Sequence, residues 1–154
     1  MTPPAEGGLD DMTQGPNGHA ESPDERSSAP AGDVYEWFQR GVQLLKDGSP
    51  AAAAAILARA ADAEPESRSI REALARAQFN SRRYQDAADS FRWIVSANPT
   101  EDYAYFGLGM ALWRTGDMEA AQEPLTIAVA MRPDLGDYVA ALRQVKATLR
   151  ARGA

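Results

Sequence analysis

The chain has 154 residues, of which 44% are hydrophobic and 25% charged, and its formal net charge is −6. It contains no cysteine and a single histidine, His19. These values are typical of one soluble domain; they exclude a disulfide scaffold and a thiolate metal site, and they argue against a Ser-His-Asp triad. The longest uninterrupted apolar run, Ala51–Ala58, is much shorter than the roughly 20 residues that span a bilayer. We therefore expect a cytoplasmic protein, with no membrane segment, no metal and no cofactor.

The net charge is concentrated in the first part of the chain. Residues 1–33 hold seven acids against Arg26, whereas the remainder holds 15 acids and 15 bases. Half of the prolines and no aromatic residue lie in this part, so ordering it would bury too little apolar area to offset the entropy. We predict that residues 1–32 form a disordered tail. It either keeps the protein soluble or contacts a basic surface, on a partner or on this protein's own C-terminus.

From Asp33 onward the sequence becomes alanine-rich with helical spacing and repeats with a fixed period. Pro65, Pro99 and Pro133 are separated by 34 residues in both intervals. A constant period of this length indicates stacked structural repeats. The predicted repeats occupy residues 34–67, 68–101 and 102–135.

The aligned columns of the three repeats share residue types. Two columns are small and one is large and apolar: Gly41, Ala75 and Gly109; Ala53, Ala87 and Ala121; Leu57, Phe91 and Leu125. Small residues mark the points where two helices come closest, so we expect the two glycines to face the alanines of the second column. Capping pairs are predicted at Asp33 with Glu36 and at Ser69 with Glu72.

This pattern resembles the tetratricopeptide repeat family over about four-fifths of the chain. The third repeat matches every column of the family signature, with Tyr105, Leu108, Gly109, Leu112, Ala121, Leu125, Ala128 and Pro133. The resemblance implies an all-α, right-handed α-solenoid of three helix-turn-helix repeats after the disordered tail. The second repeat departs from the signature at Arg71, Gln78 and Ile94. Trp93 falls on its outer side, where it is either buried by local packing or available for a contact on the convex face.

A last amphipathic stretch follows the third repeat. Tyr138, Leu142, Val145 and Leu149 have helical spacing, and residues 136–151 are predicted to form one helix that covers the open end of the array. Its basic residues either complement the helix dipole or contact an acidic partner.

In this family, ligands bind on the concave face formed by the first helix of each repeat. Most of the side chains predicted there are large and apolar, and such a surface exposed to water is better explained by a ligand than by chance. The predicted partner-binding residues are Tyr35, Phe38, Val42, Leu45, Ser69, Glu72, Arg76, Phe79, Tyr103, Phe106, Met110 and Trp113. Alternatively, the terminal helix or the tail fills this groove. Glu72 and Arg76 either pair with each other or fix the register of a bound peptide.

The resemblance does not extend to family members that grip a C-terminal carboxylate. The matching positions here are Phe38, Val42, Ala73, Tyr103 and Gly107, which lack the required basic and amide side chains. The apolar groove is instead similar to that of three-repeat secretion chaperones.

The sequence predicts a non-catalytic adaptor, scaffold or chaperone that binds a peptide or helix of another protein. The alternative is a self-associating subunit that forms a homo-oligomer through the groove or Trp93. On the first interpretation, replacing Phe106 or Trp113 by alanine should leave the fold intact and weaken partner capture by about 2 kcal/mol.

Nucleic-acid binding is not expected because no continuous basic face is present. Fourteen arginines against two lysines suggest a GC-rich bacterial genome.

Overall fold

The computed structural model describes residues 33–153, and this part of the chain is all α-helical. The helices are α1 (Val34–Lys46), α2 (Pro50–Ala63), α3 (Arg68–Asn80), α4 (Tyr84–Ala97), α5 (Asp102–Arg114), α6 (Met118–Met131) and α7 (Gly136–Gly153). Each packs mainly on its neighbours in sequence, which is the arrangement of a helical-repeat solenoid. The predicted all-α repeat architecture is confirmed. The predicted tail, residues 1–32, lies outside the described residues.

The turns inside the three helical hairpins share one backbone geometry. Gly48, Arg82 and Gly116, which are 34 residues apart, have positive φ angles of 78°, 66° and 92°. In each turn the next residue donates its N–H to a carbonyl five positions earlier, as Ser49 does to Leu44 at 2.8 Å. This Schellman-type ending satisfies carbonyls at the end of the first helix. Glycine adopts this conformation without steric cost, whereas Arg82 adopts it at a cost.

Replacing Arg82 by glycine is therefore expected to raise the free energy of unfolding by about 0.5–1 kcal/mol, because relief of the left-handed conformation exceeds the entropy that glycine adds to the unfolded chain. Urea denaturation followed by circular dichroism measures this. Arg83→Gly is the matched control, since Arg83 has φ −89° and gains nothing from glycine. A loss of stability in Arg82→Gly would contradict the prediction.

Side-chain caps fix the starts of several helices. The Asp33 carboxylate accepts a hydrogen bond from the Tyr35 N–H at 3.0 Å, so Asp33 caps α1 through Tyr35 and not through Glu36, with which it was predicted to pair. The predicted cap at Ser69 is wrong, because α3 begins one residue before it, at Arg68, and its cap is Ser67, which accepts from the Ile70 N–H at 3.3 Å. The sequence contains two serines here, Ser67 and Ser69. Their positions alone do not show which one is the N-cap and which one lies in the first turn of the helix.

Glycines mark close helix contacts, but their closest partners differ from the prediction. A Cβ on Gly41 would overlap the Leu57 side chain, and a Cβ on Gly109 would lie 2.5 Å from Leu125 Cγ. The closest contacts of the two glycines are therefore with the large apolar column of the second helix. A Cβ on Gly109 would also lie 3.4 Å from the carbonyl oxygen of Ala121, its predicted partner. Gly107, which the sequence analysis did not single out as a packing residue, makes room for the Phe91 ring of the preceding repeat.

The buried apolar residues form two clusters that meet at α3. One cluster is built by α1, α2 and α3, and the other extends from α3 to α7. Phe91, Phe106 and Leu57 are among the largest side chains that are almost completely buried. Because both clusters use α3, the second repeat joins the two halves of the array.

The departures of the second repeat from the family signature compensate one another. In repeat one, the guanidinium of Arg59 lies over the Trp37 ring, 4.6 Å from its centroid. In repeat two the residue types are exchanged, and the guanidinium of Arg71 lies 5.0 Å from the centroid of the Trp93 ring. The cation–π contact between the two helices is thus kept with its members reversed.

The polar Gln78 in an apolar column also has a partner in the second repeat. The buried Ser90 donates its hydroxyl to Gln78 Oε1 at 2.6 Å. The burial of the Ser90 hydroxyl is therefore compensated by its bond to the half-buried Gln78.

Candidate groove on the first helices

All twelve residues predicted to line the groove lie on the first helices α1, α3 and α5, and none of them is exposed. They divide into a buried and a half-buried set. The buried set is Leu45, Glu72, Arg76, Phe79, Phe106, Met110 and Trp113. The half-buried set is Tyr35, Phe38, Val42, Ser69 and Tyr103. The expectation of an open aromatic groove across all three repeats is therefore wrong.

The apolar members of the buried set are part of the core because neighbouring helices cover them. The Phe106 ring stacks on the Tyr138 ring of α7, with centroids 4.6 Å apart and planes at 24°. Tyr138 in turn donates its hydroxyl to Asp102 Oδ2 at 2.8 Å, which ties the start of α7 to the start of α5. The terminal helix α7 therefore covers the third-repeat end of the concave face. This agrees with the alternative in which the terminal helix fills part of the groove.

The accessible apolar part of the face lies at the first repeat. Tyr35, Phe38 and Val42 project from α1 with helical spacing and are half-buried. No helix precedes α1 in the described part of the chain. The side of α1 that faces away from α2 and α3 is therefore not covered by another helix. The Tyr35 hydroxyl accepts a hydrogen bond from Gln39 Nε2 at 2.6 Å, which holds the ring at the edge of the face.

Polar groups occupy the middle of the face. Glu72 and Arg76 are each only 8% exposed, although they carry ionisable groups. Their spacing on one helix face allows an ion pair, but within residues 33–153 they form none. The Nε and Nη1 atoms of Arg76 and the hydroxyl of Tyr103 are buried without a hydrogen-bond partner in the described part of the chain.

The same polar groups influence one another electrostatically. Burial raises the pKa of Glu72 to about 7, the Glu101 carboxylate adds to this, and Arg76 and Arg68 oppose it. Burial also raises the pKa of the Tyr103 hydroxyl well above its usual range, with a smaller opposing effect of Arg76. These three groups therefore form one desolvated polar centre, which we call the Arg76 centre (Glu72, Arg76 and Tyr103).

Comparison with known proteins identifies the family. A sequence model described as tetratricopeptide repeat matches residues 38–101 and, overlapping them, 72–135. The chain belongs to the tetratricopeptide repeat family. No curated protein sequence matches the chain closely enough to count as a relative.

Solved structures of tetratricopeptide repeat proteins share the fold. MamA from AMB-1 is 23% identical with a TM-score of 0.72, over 82% of this chain and 74% of that one. The first tetratricopeptide repeat domain of Spaghetti (RPAP3), bound to an HSP90 peptide, is 20% identical with a TM-score of 0.70, over 76% of this chain and 93% of that one. The corresponding human RPAP3 domain is 19% identical with a TM-score of 0.68, over 78% and 94% of the two chains.

Two further surfaces of this tetratricopeptide repeat protein are the Trp93 side of α4 and a cleft beside α7. Trp93 on the outer side of α4 is half-buried and lies beneath the Arg71 guanidinium, so the convex surface offers only part of this ring. A cleft of about 540 Å³ between α6 and α7 is lined by Gln122, Lys146, Leu149, Arg150 and Gly153. The sequence indicated the basic residues of α7 but not that they border a cleft.

Between residues 33 and 153, no three histidine, cysteine or acidic residues come together in a way that could hold a metal ion. No helix in that range has the length and apolar content that crossing a membrane requires.

Proposed function

We propose that this protein is a non-catalytic interaction module that binds a segment of another protein on the first-repeat part of its concave face. The observation that supports this most directly is the half-buried apolar row Tyr35, Phe38 and Val42 on α1, together with the half-buried Tyr103 on α5. Aromatic side chains on a preformed, partly exposed surface are typical anchors of protein contacts. The Spaghetti domain with the same fold is bound to a peptide, which supports a peptide or helix as the ligand.

The proposal is tested by capture from native lysate with a groove double variant, Phe38→Ala/Tyr103→Ala. Both side chains are half-buried on first helices, so their loss should affect binding more than folding. We expect capture of the partner to fall at least tenfold, which corresponds to about 1.4 kcal/mol or more. The amount of captured partner is measured by quantitative mass spectrometry.

A matched control separates binding from stability. Ile56→Ala/Tyr105→Ala removes an aliphatic and an aromatic side chain that are also half-buried and pack on the same two clusters, away from the predicted groove positions. This control should retain capture. Equal capture by wild type and groove variant would contradict the proposal, and a homo-oligomer that only the groove variant dissociates would favour self-association instead.

A further inference from the structure

Two members of the Arg76 centre, Arg76 and Tyr103, hold buried hydrogen-bond donors that have no acceptor in the described part of the chain. Arg76 is 8% exposed, and its Nε and Nη1 atoms and the Tyr103 hydroxyl lack partners in the described part of the chain. A buried guanidinium without a counter-ion is strongly unfavourable, as are buried donors without acceptors. The chemical group that satisfies a cation and neighbouring O–H and N–H donors together is a carboxylate.

The neighbouring Glu72 does not supply this carboxylate. It forms no ion pair with Arg76 within residues 33–153, and its raised pKa of about 7 shows that its environment favours the neutral acid. Near neutral pH Glu72 is therefore only partly ionised and leaves the centre with a partial positive charge, which favours an anion from outside the seven helices.

The chain itself carries a suitable anion source. Residues 1–32 contain six acids and one base, whereas residues 33–154 contain 16 acids and 15 bases. Three of the six acids are close to α1 in the sequence, and we call them the proximal acids. The other three are farther from α1 in the sequence, and we call them the distal acids. The proximal acids are Glu21, Asp24 and Glu25, and the distal acids are Glu6, Asp10 and Asp11.

The geometry allows the proximal acids to reach the centre. Residue 33 lies at the start of α1, and α1 contacts α3 directly. Arg76 is the ninth residue of α3, so it lies about 12 Å along the helix axis from the start of that helix. With neighbouring helices about 10 Å apart, a path of about 16 Å requires roughly five extended residues. The proximal acids lie eight to twelve residues before Asp33.

We propose that a carboxylate of the protein's own proximal acids binds Arg76 and Tyr103 on the concave face, so that the N-terminal segment occupies the groove until a partner displaces it. Tethering gives this contact a high effective concentration, so that a weak interaction is still populated. The inference goes beyond the proposed function, because it concerns a contact within one chain.

The first measurement uses the absence of cysteine in the chain. A Ser22→Cys variant of the full-length protein accepts one nitroxide label among the proximal acids. We expect selective broadening of the Arg76 and Tyr103 amide signals in NMR spectra, while the exposed Arg92 and Glu123 on second helices remain sharp. Broadening that is uniform or absent would overturn the proposal. Broadening that also appears when labelled and isotope-labelled chains are mixed would overturn it in favour of a second copy.

The second measurement tests the carboxylates. The proximal triple variant, Glu21→Gln/Asp24→Asn/Glu25→Gln, should increase hydrogen exchange at Arg76 Nε–H by about tenfold, as expected for loss of a charge-assisted hydrogen bond. The distal triple variant, with the same substitutions at its three acids, removes equal charge and should leave exchange unchanged. Equal effects of both variants would indicate long-range electrostatics, and no effect would indicate that water satisfies Arg76; either result rejects the proposal. Neither variant alters a groove residue, so this failure is distinct from failure of partner capture.

Discussion

Replacing Phe106 by alanine is expected to lower the free energy of unfolding by about 3–5 kcal/mol, the range for deletion of a buried aromatic ring. The side chain is 1% exposed and stacks on Tyr138 at 4.6 Å. Its removal leaves a cavity between α5 and α7 and also ends the ring contact, which itself contributes about 0.5–1.5 kcal/mol. Urea denaturation followed by circular dichroism measures the change.

Phe38→Ala provides a matched comparison, because Phe38 occupies the same column of the first repeat but is half-buried. Its loss should lower the free energy of unfolding by only about 1–2 kcal/mol, since less area leaves the core. A Phe106→Ala protein as stable as Phe38→Ala would contradict the burial that the structure shows. This result would also restore the sequence-based expectation that Phe106 contacts a partner without supporting the fold.

The repeat period made the architecture predictable. The prolines 34 residues apart recur in the two connections between repeats and in the connection to α7, and the turn residues Gly48 and Gly116 recur inside two of the hairpins. Each of these signals is local, because a proline just after the last turn cannot continue a helix and a left-handed residue ends one. Fold class could therefore be predicted from a single sequence.

Burial of the groove could not be predicted in the same way. Helical register assigns a side chain to a face, but exposure depends on what packs on that face. Phe106 and Phe38 have the same register, and only Phe106 meets a later aromatic residue, Tyr138. The sequence did identify a terminal helix that covers the end of the array, yet the depth of that cover depends on contacts between residues 32 positions apart.

The sequence alone also could not predict which side chains contact each other. Glu72 and Arg76 have the spacing of an ion pair on one helix face, but the structure leaves them unpaired. Arg71 and Trp93 departed from the family signature separately, and the structure shows that they contact each other. Spacing gives the candidates for such pairs, whereas packing between helices selects among them.

Ionisation of the buried Glu72 should make the protein less stable as the pH rises. Burial and the nearby Glu101 raise its pKa from 4.5 to about 7, and Arg76 and Arg68 only partly offset this; Tyr103 is a further neighbour in the same centre. In the unfolded chain the carboxyl group releases its proton near pH 4.5, so between that pH and about 7 the folded state holds more protons than the unfolded state. The free energy of unfolding therefore falls through this range.

Glu72→Gln is expected to remove this pH dependence. The variant should be close to wild type in stability at pH 4.5, and more stable by about 2–3 kcal/mol at pH 8, allowing for partial solvent screening. Urea denaturation at both pH values measures the difference, and Glu123→Gln, an identical change at an exposed position on α6, is the control. If the free energies of unfolding of Glu72→Gln and Glu123→Gln changed with pH in the same way, Glu72 would not be desolvated in solution. Glu72 would then be ionised near neutral pH, and the Arg76 centre would lose its partial positive charge.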